Sequence, residues 1–466
     1  MYQPISTDVI SQLAKIVGHD YVLLDGENLE KYAHDETEDL RYQPEVVVKP
    51  GTSEEIAAIM VLANLHHFPV TPMGARTGLS GGALPVCGGV ALSMERFNKI
   101  IHIDERNLQV TTEPGVITEV LQNAVIEKGL FYPPDPASKG SCFIGGNVAE
   151  NSGGPKAVKY GVVKDYVLNL EVVLPTGEII WTGANVLKNA TGYNLTQLFV
   201  GSEGTLGIIT KIVLRLIPYP QKNLLMLVPF SNSTKACEAV AAIFRAGITP
   251  SAMEFMERDA IDYVLQFNTD IQIAIKDHIK AHLLIEVDGN NQDVLMQDCE
   301  TIAQIVEQFE CDEILFAETE REKNDLWKMR RKVGEAVKQH STYKEEDTVV
   351  PRAELSVLLE GVKAIGNKYG FQSVCYGHAG DGNLHVNILK GTLTNEEWES
   401  RLPQGITEIF QLVIKLGGTI SGEHGIGWVQ KKYMPLAFNE IQLNIFRNLR
   451  KIFDPNGILN PGKVVD

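Results

Sequence analysis

The sequence predicts an α+β protein of two domains, residues 1–220 and 221–466. Three observations predict it. A chain of 466 residues is long enough for two or three full cores. The first half opens on a β-α-β pattern and carries three glycine-rich stretches. The second half alternates helical patterns with apolar strands and holds a hairpin bearing two histidines.

Composition narrows the partners. Hydrophobic content of 44% and charged content of 22% are ordinary for a soluble globular protein. A formal net charge of −17 argues against nucleic acid or an anionic membrane surface as a partner, though a locally cationic site can still take a small anion. No run approaches the length of a membrane span, so any membrane association is expected to be peripheral. Met1 to Asp8 show no basic region followed by an apolar core, so no secretory signal is expected and the location reads as cytoplasmic. The cysteines Cys87, Cys142, Cys237, Cys299, Cys311 and Cys375 form no C-x-x-C pair and read as buried reduced thiols.

In chain order, residues 1 to about 40 read as a helical lead-in and Glu45–Lys49 as a short strand. Thr52 and Glu55 match a capping box, followed by Ile56, Ile59, Met60 and Ala63 at helical spacing. Pro69–Pro72 is a second strand and leads into the first glycine-rich stretch, Met73–Ala83. Glycines let backbone N–H groups approach an anion closely, although a tight surface turn reads the same way. The stretch is not a Walker loop, and the chain has no G-x-G-x-x-G, so a Rossmann dinucleotide site is unsupported.

Leu108, Val110 and Thr112 alternate as a strand, and Val116–Lys128 reads as a helix ending at Gly129. Pro133–Ser138 and a second glycine-rich stretch, Ile144–Gly154, come next, then Lys159-Tyr-Gly161. Val167–Leu174 is an apolar strand ending in the turn Pro175-Thr-Gly177, and Gly201–Ile209 is the third stretch. Three such stretches imply a long polyanionic ligand laid against backbone. Beyond 220, Lys235–Ala246 reads as a helix, Ala281–Val287 as a strand, Leu326–Arg331 as part of a basic helix, and Tyr343–Arg352 as a polar loop running into a strand.

Gly380-Asp381-Gly382 reads as a turn between the apolar runs Phe371–Tyr376 and Leu384–Leu389. Such a hairpin brings His378 and His385 near each other, with Asn387 on the face of His385. Two converging imidazoles make half a metal site. Glu423, within Ser421–Gly427, would complete it, leaving its neighbour His424 to face substrate. His66, His67 and His278 read as ordinary packed or solvated residues.

Pro72–Ala83, Pro133–Ser138, Gly145–Gly154 and Gly201–Ile209 resemble the FAD-binding domain of the vanillyl-alcohol oxidase/p-cresol methylhydroxylase (PCMH) superfamily. His378–His385, Glu423-His424 and Phe453–Lys463 resemble its FAD-linked oxidase C-terminal domain. Within the superfamily the chain is most similar to the group of D-lactate dehydrogenase, glycolate oxidase catalytic subunit and D-2-hydroxyglutarate dehydrogenase. The resemblance implies a PCMH-type FAD-binding domain over 1–220 and a substrate domain over 221–466, with 453–466 returning to the flavin.

It further implies noncovalent FAD. Pro72 belongs with the flavin contacts, and Gly74, Arg76, Thr77, Gly78 and Leu79 fall at the pyrophosphate. Pro134, Asp135 and Ser138 approach the adenosine and phosphate side, with Gly145, Asn147, Asn151 and Gly154 nearby. Glu203, Gly204 and Ile208 suit the adenine and ribose end, and Asn460 the isoalloxazine. The loop offers no His or Cys as a tether, and Cys87, just beyond it, is expected to be packed.

The family's metal ligands match His378, His385 and Glu423. Zinc is the natural choice for N/N/O ligation, with manganese, iron and cobalt left open. His424 is the expected base, and Asn387 the residue holding a substrate carboxylate. Arg330 matches a substrate-binding arginine of the D-2-hydroxyglutarate enzymes and Lys344 corresponds to their lysine; the plain alternative for Arg330 is an exposed cation on a basic helix. Gly334 stands where those enzymes carry a hydroxyl residue, and Lys344–Arg352 is longer and more acidic than its counterpart. Glu345, Glu346 and Asp347 would repel a second carboxylate if they faced the pocket.

The expected reaction is therefore oxidation of a small D-2-hydroxy acid, D-lactate or glycolate, to the 2-oxo acid, with D-2-hydroxyglutarate as runner-up. A metal-dependent hydrolase leaves the glycine-rich stretches unexplained. A non-catalytic flavin-binding subunit is opposed by the intact histidines. Oxygen, a quinone, an electron-transfer flavoprotein, a cytochrome or an Fe–S subunit all remain open as electron acceptor, as does the oligomeric state, with a homodimer among the options.

Overall fold

The computed structural model describes residues 2–38, 40–268, 271 and 273–465. Met1 and Asp39 of the expected lead-in, and Asp466 of the closing segment, lie outside them. The chain forms two compact units. One comprises Met1–Ser152, Val162–Tyr219 and Glu423–Asp466, the other Gly153–Gly161 and Pro220–Gly422. The first unit thus takes the chain back at Glu423 rather than at 453, and cedes the short segment Gly153–Gly161. The mixture of helices and sheets has the expected α+β character.

In the first unit the lead-in forms helices Thr7–Val17 and Gly26–Lys31. The strand Val46–Val48 is buried at every position and pairs in parallel with Val90–Ser93, as does Val70–Met73 from the other side. Successive parallel strands need a crossover, and the helix Ser53–His66 supplies the one from Val46–Val48 to Val70–Met73, which flank Val90–Ser93. Thr52 caps that helix by accepting from Glu55 N, but the Glu55 carboxylate returns to Gly51 N rather than to the cap residue. Ile56, Ile59 and Met60 are fully buried against the sheet, each contributing about 1.5–3 kcal/mol. A five-stranded antiparallel sheet follows, which includes Gln109–Thr112, Val167–Val173 and Ile208–Arg215. Between its strands lie helices Thr118–Ile126 and Ile144–Glu150.

The second unit is built on a seven-stranded antiparallel sheet. Its central strands are Lys222–Phe230, Ala281–Gly289, Ala252–Glu257, Gln372–Gly377 and Asn383–Leu389. Helices Arg258–Phe267, Glu320–Arg331 and Val333–His340 bury Ile261, Met329 and Val337 against one face. Tyr343–Val349, expected as a polar loop, is an edge strand paired with Asn383–Leu389 along its length. Its charges concealed the strand, but Glu346 and Asp347 are buried.

The histidine-bearing hairpin forms as expected, from Gln372–Gly377 and Asn383–Leu389. Gly382 closes it at φ +85, where a Cβ would fall 1.9 Å from Val350 O, so only glycine fits. The thiol expectation needs one correction. Cys142, Cys237, Cys299 and Cys375 are buried, Cys311 is half-buried, and Cys87 is exposed rather than packed.

Candidate active site

In the first unit, the glycine-rich stretches converge on one cavity of about 1400 Å³, counted to its open mouth. Pro72, Gly74, Arg76, Thr77, Gly78 and Leu79 line it, with Ser138, Gly145, Asn147, Glu203, Gly204, Ile208 and Asn460. Glu423 and His424 stand in the same wall. Pro134, Asp135 and Asn151 lie outside the lining, and Gly154 belongs to the second unit. The Pro134 carbonyl accepts from Gln122 Nε2 instead, and Asn151 Oδ1 accepts from Lys164 N.

Backbone makes much of this wall. At Gly78 and Gly146 a Cβ would meet nothing within 4 Å, so bare backbone borders open space there. That is the surface a pyrophosphate-bearing ligand needs. Arg76, Glu203 and Asn460 hold left-handed backbone at φ 62, 51 and 39, a strain that tends to collect at functional sites. Asn460 Nδ2 donates to Gly82 O and Glu203 O, tying the first and third stretches to the C-terminal segment. Its amide is thus committed to the protein's own backbone.

Glu203, expected at the adenine and ribose end, spends its carboxylate on backbone too. It accepts Ile426 N at 2.7 Å and Gly427 N at 2.6 Å. Burial pushes its pKa up against those two donors and Lys463. Burial likewise brings the Lys463 ammonium down to about 8. Sequence reasoning missed Glu150, also in the wall, although it lies inside the second glycine-rich stretch. An acid within an otherwise apolar and glycine-rich run was the available signal.

The second unit collects polar side chains on one face of its sheet. Register pairs His385 with Tyr376 on one side and Asp347 on the other, and Asn387 with Glu345. The His378 and His385 rings meet edge to face with centroids 5.5 Å apart. Glu254, fully buried on the strand Ala252–Glu257, holds His378 Nδ1 at 2.8 Å, which turns Nε2 away from Glu254. Its Oε2 lies 2.7 Å from Arg330 Nη2. Burial alone would raise the Glu254 carboxyl, but His378 and Arg330 hold it below the usual carboxylate value. A carboxylate that fixes one imidazole nitrogen and presents the other is the usual support of a metal-binding histidine. Two imidazoles set this way fit the nitrogen half of an N/N/O site.

Arg330 is buried, not an exposed cation, and lies over the Tyr376 ring, its Nε lacking a hydrogen bond among the described residues. Asn387 is fully buried, with the Tyr376 hydroxyl beside its amide. Lys344 pairs with Ile388, so strand alternation turns it to the opposite face. Sequence reasoning missed Glu254, whose partner His378 comes 124 residues later.

A cavity walled by glycine-rich backbone beside an imidazole and a carboxylate, on this fold, defines a flavin-dependent oxidoreductase. Residues 219–464 match the model of the FAD linked oxidases, C-terminal domain, and residues 44–183 match an FAD binding domain. The chain belongs to the FAD-linked oxidase family, with the two-domain PCMH-type architecture. It is 39% identical to the glycolate oxidase subunit GlcD of Bacillus subtilis, covering 99% of this chain and 97% of that relative. It is 37% identical to a D-lactate dehydrogenase of Anaerostipes hadrus, covering 99% and 98%, and 33% identical to a D-2-hydroxyglutarate dehydrogenase of Stutzerimonas stutzeri, covering 98% of each. Among solved structures, p-cresol methylhydroxylase with substrate bound superposes with a TM-score of 0.79 at 19% identity, over 98% of this chain and 96% of that one. At that identity the likeness speaks for the fold alone. No helix among the described residues is long and apolar enough to cross a membrane.

Proposed function

We propose that the protein oxidises a small D-2-hydroxy acid, D-lactate or glycolate, to the 2-oxo acid. The observation that carries this reading is the position of Glu423 and His424 in the wall of the flavin cavity. FAD, when bound, supplies the hydride acceptor. His424 takes the hydroxyl proton, a task suited to an imidazole near neutral pH. His378, His385 and Glu423 would hold a divalent metal, zinc by donor type, which would polarise the 2-hydroxyl and fix the acid. Glu254 supports this by orienting His378. Chain continuity supports it too: Gly422 N donates to Asp347, the register partner of His385, and Glu423 is the next residue. Asn387 is the residue proposed for the substrate carboxylate.

The preference for one carboxylate over two rests on the second unit. Arg330 is already engaged by Glu254, and Lys344 turns to the other face. Glu345 and Asp347 stand 3.3 and 3.8 Å from His385 Nδ1, where they would repel a second carboxylate. D-2-hydroxyglutarate, suggested by one relative, remains the second reading because Arg330 Nε lacks a hydrogen bond among the described residues. The test is anaerobic flavin bleaching and kcat/KM with a dye acceptor for D-lactate, L-lactate, glycolate and D-2-hydroxyglutarate. Preference for D-lactate or glycolate is expected. Preference for D-2-hydroxyglutarate, lost in Arg330→Ala, would replace this reading, and no bleaching by any 2-hydroxy acid would end it. His424→Ala is expected to keep FAD and slow bleaching by roughly 10²-fold or more.

A further inference from the structure

We propose that two copies of the protein associate through the outer face of the helix Glu440–Phe453, packed antiparallel about a two-fold axis. The helix carries an apolar stripe that the described residues of its own chain leave open. Ile441 and Ile452 are each 75% exposed and Ile445 is 58% exposed, while Leu443 is the one buried residue of the helix. Helical spacing puts the three isoleucines on one face. A single exposed isoleucine needs no explanation, but a row of three on one helix marks an interaction surface. Asn456, just past the helix, donates to Asn64 Oδ1 at 2.8 Å on the helix Ser53–His66, whose Val61 and Leu65 are exposed as well.

The layout of the stripe selects its partner. Ile441, Ile445, Asn448 and Ile452 follow one another at steps of four, three and four residues, the spacing of a two-helix seam. Those steps read the same from either end. Laid antiparallel, Ile441 therefore meets the partner's Ile452 and Ile445 meets the partner's Asn448, and each contact occurs twice, as a two-fold axis requires. Asn448 is the single polar position of the seam, the kind of residue that fixes register. Charge agrees with this order. Glu440 opens the helix, and Lys451, exposed, follows about three turns later on the same flank. Antiparallel packing brings each Glu440 alongside the partner's Lys451, so the face is complementary to itself. A membrane surface fits it less well. An interfacial helix is rich in lysine and arginine along its polar face. Here the polar flank offers Asn444 and Asn448, Arg447 is held by Glu440 at 2.7 Å, and Arg450 donates inward to the carbonyls of Leu459, Asn460, Lys463 and Val465. The net charge of −17 opposes an anionic bilayer as well.

Sedimentation of the FAD-loaded protein over a range of concentrations provides the test. Wild type is expected to reach twice the mass of one chain with a Kd on the order of 10 µM, as suits a small interface. Ile445→Asp is expected to raise that Kd at least about tenfold. Ile441→Lys and Ile452→Glu should each weaken pairing to a similar degree. Mixed in equal amounts, those two variants should pair at least about threefold more tightly than either does alone, because the antiparallel register sets the lysine of one beside the glutamate of the other. All three positions are exposed, so each variant should keep its fold and its flavin spectrum. Wild type still monomeric at about 100 µM overturns the proposal. So does a dimer that Ile445→Asp leaves intact, which would place the interface elsewhere. A mixture no tighter than its components refutes the antiparallel register. Monomers that instead float with vesicles of phosphatidylglycerol and phosphatidylcholine, and lose that binding in Ile445→Asp, would make the stripe a membrane face and overturn the pairing.

Discussion

The two units line their polar surfaces with different material. In the first, the cavity wall is largely backbone: glycines border open space, and the polar side chains of Glu203 and Asn460 are spent holding loops. In the second, the polar face is side chain throughout, laid out by strand register with Glu254 pairing His378 and Arg330. A backbone site is insensitive to what neighbouring side chains are but cannot tolerate an added Cβ. A side-chain site tolerates backbone detail but fails when one charge loses its partner. The contrast can be broken by substitution.

The largest effect is expected in the second unit. Glu254→Ala leaves Arg330 and His378 without their shared carboxylate, and urea unfolding should show a loss of about 3–5 kcal/mol. An unchanged midpoint would mean that the cluster is not held together by charge.

His282 gives a pH signature of similar size. It is buried on the strand Ala281–Gly289 with Nδ1 unpartnered among the described residues, and burial, helped by Arg258, brings its pKa down from 6.5 to about 4. A depressed pKa means that the folded state resists protonation. Its stability is therefore complete above pH 6.5 and is lost as pH falls towards 4, on the order of 3 kcal/mol in all. His282→Leu should flatten urea stability across that window; a slope identical to wild type would reassign the acid sensitivity.

The first unit is expected to fail through a methyl group. Gly425 sits at φ +82 against Glu150, so Gly425→Ala should weaken FAD binding at least about tenfold, read by flavin fluorescence titration. Undiminished affinity would show that the wall yields. The smallest effect is at the surface. Cys87→Ser should change stability by no more than about 0.5 kcal/mol while removing the cysteine first labelled by maleimide in the native protein.

Features with local causes were the legible ones. The hairpin carrying His378 and His385 was readable because glycines and alternation lie within one short stretch. So were the buried strand Val46–Val48 and the capped helix after it. Glu254 was not, because its partners arrive from distant segments and nothing in Ala252–Glu257 announces them. The edge strand Tyr343–Val349 was hidden by its acids, and the burial of Arg330, though not its candidacy, by the basic residues beside it. The point at which the chain rejoins the first unit, Glu423, depends on tertiary contacts that no local pattern encodes.

The segmented first unit has a consequence for biosynthesis. Residues lining its cavity run from Pro72 to Asn460, while Pro220–Gly422 belongs to the other unit. On the ribosome, most of the flavin wall therefore waits, without Asn460 or the Ile426 and Gly427 amides that hold Glu203, until the whole second unit has been made. The finished cavity can exist only once Asn460 has been made, so FAD is loaded after the second unit, and a chain truncated after that unit lacks the last wall of its cofactor site.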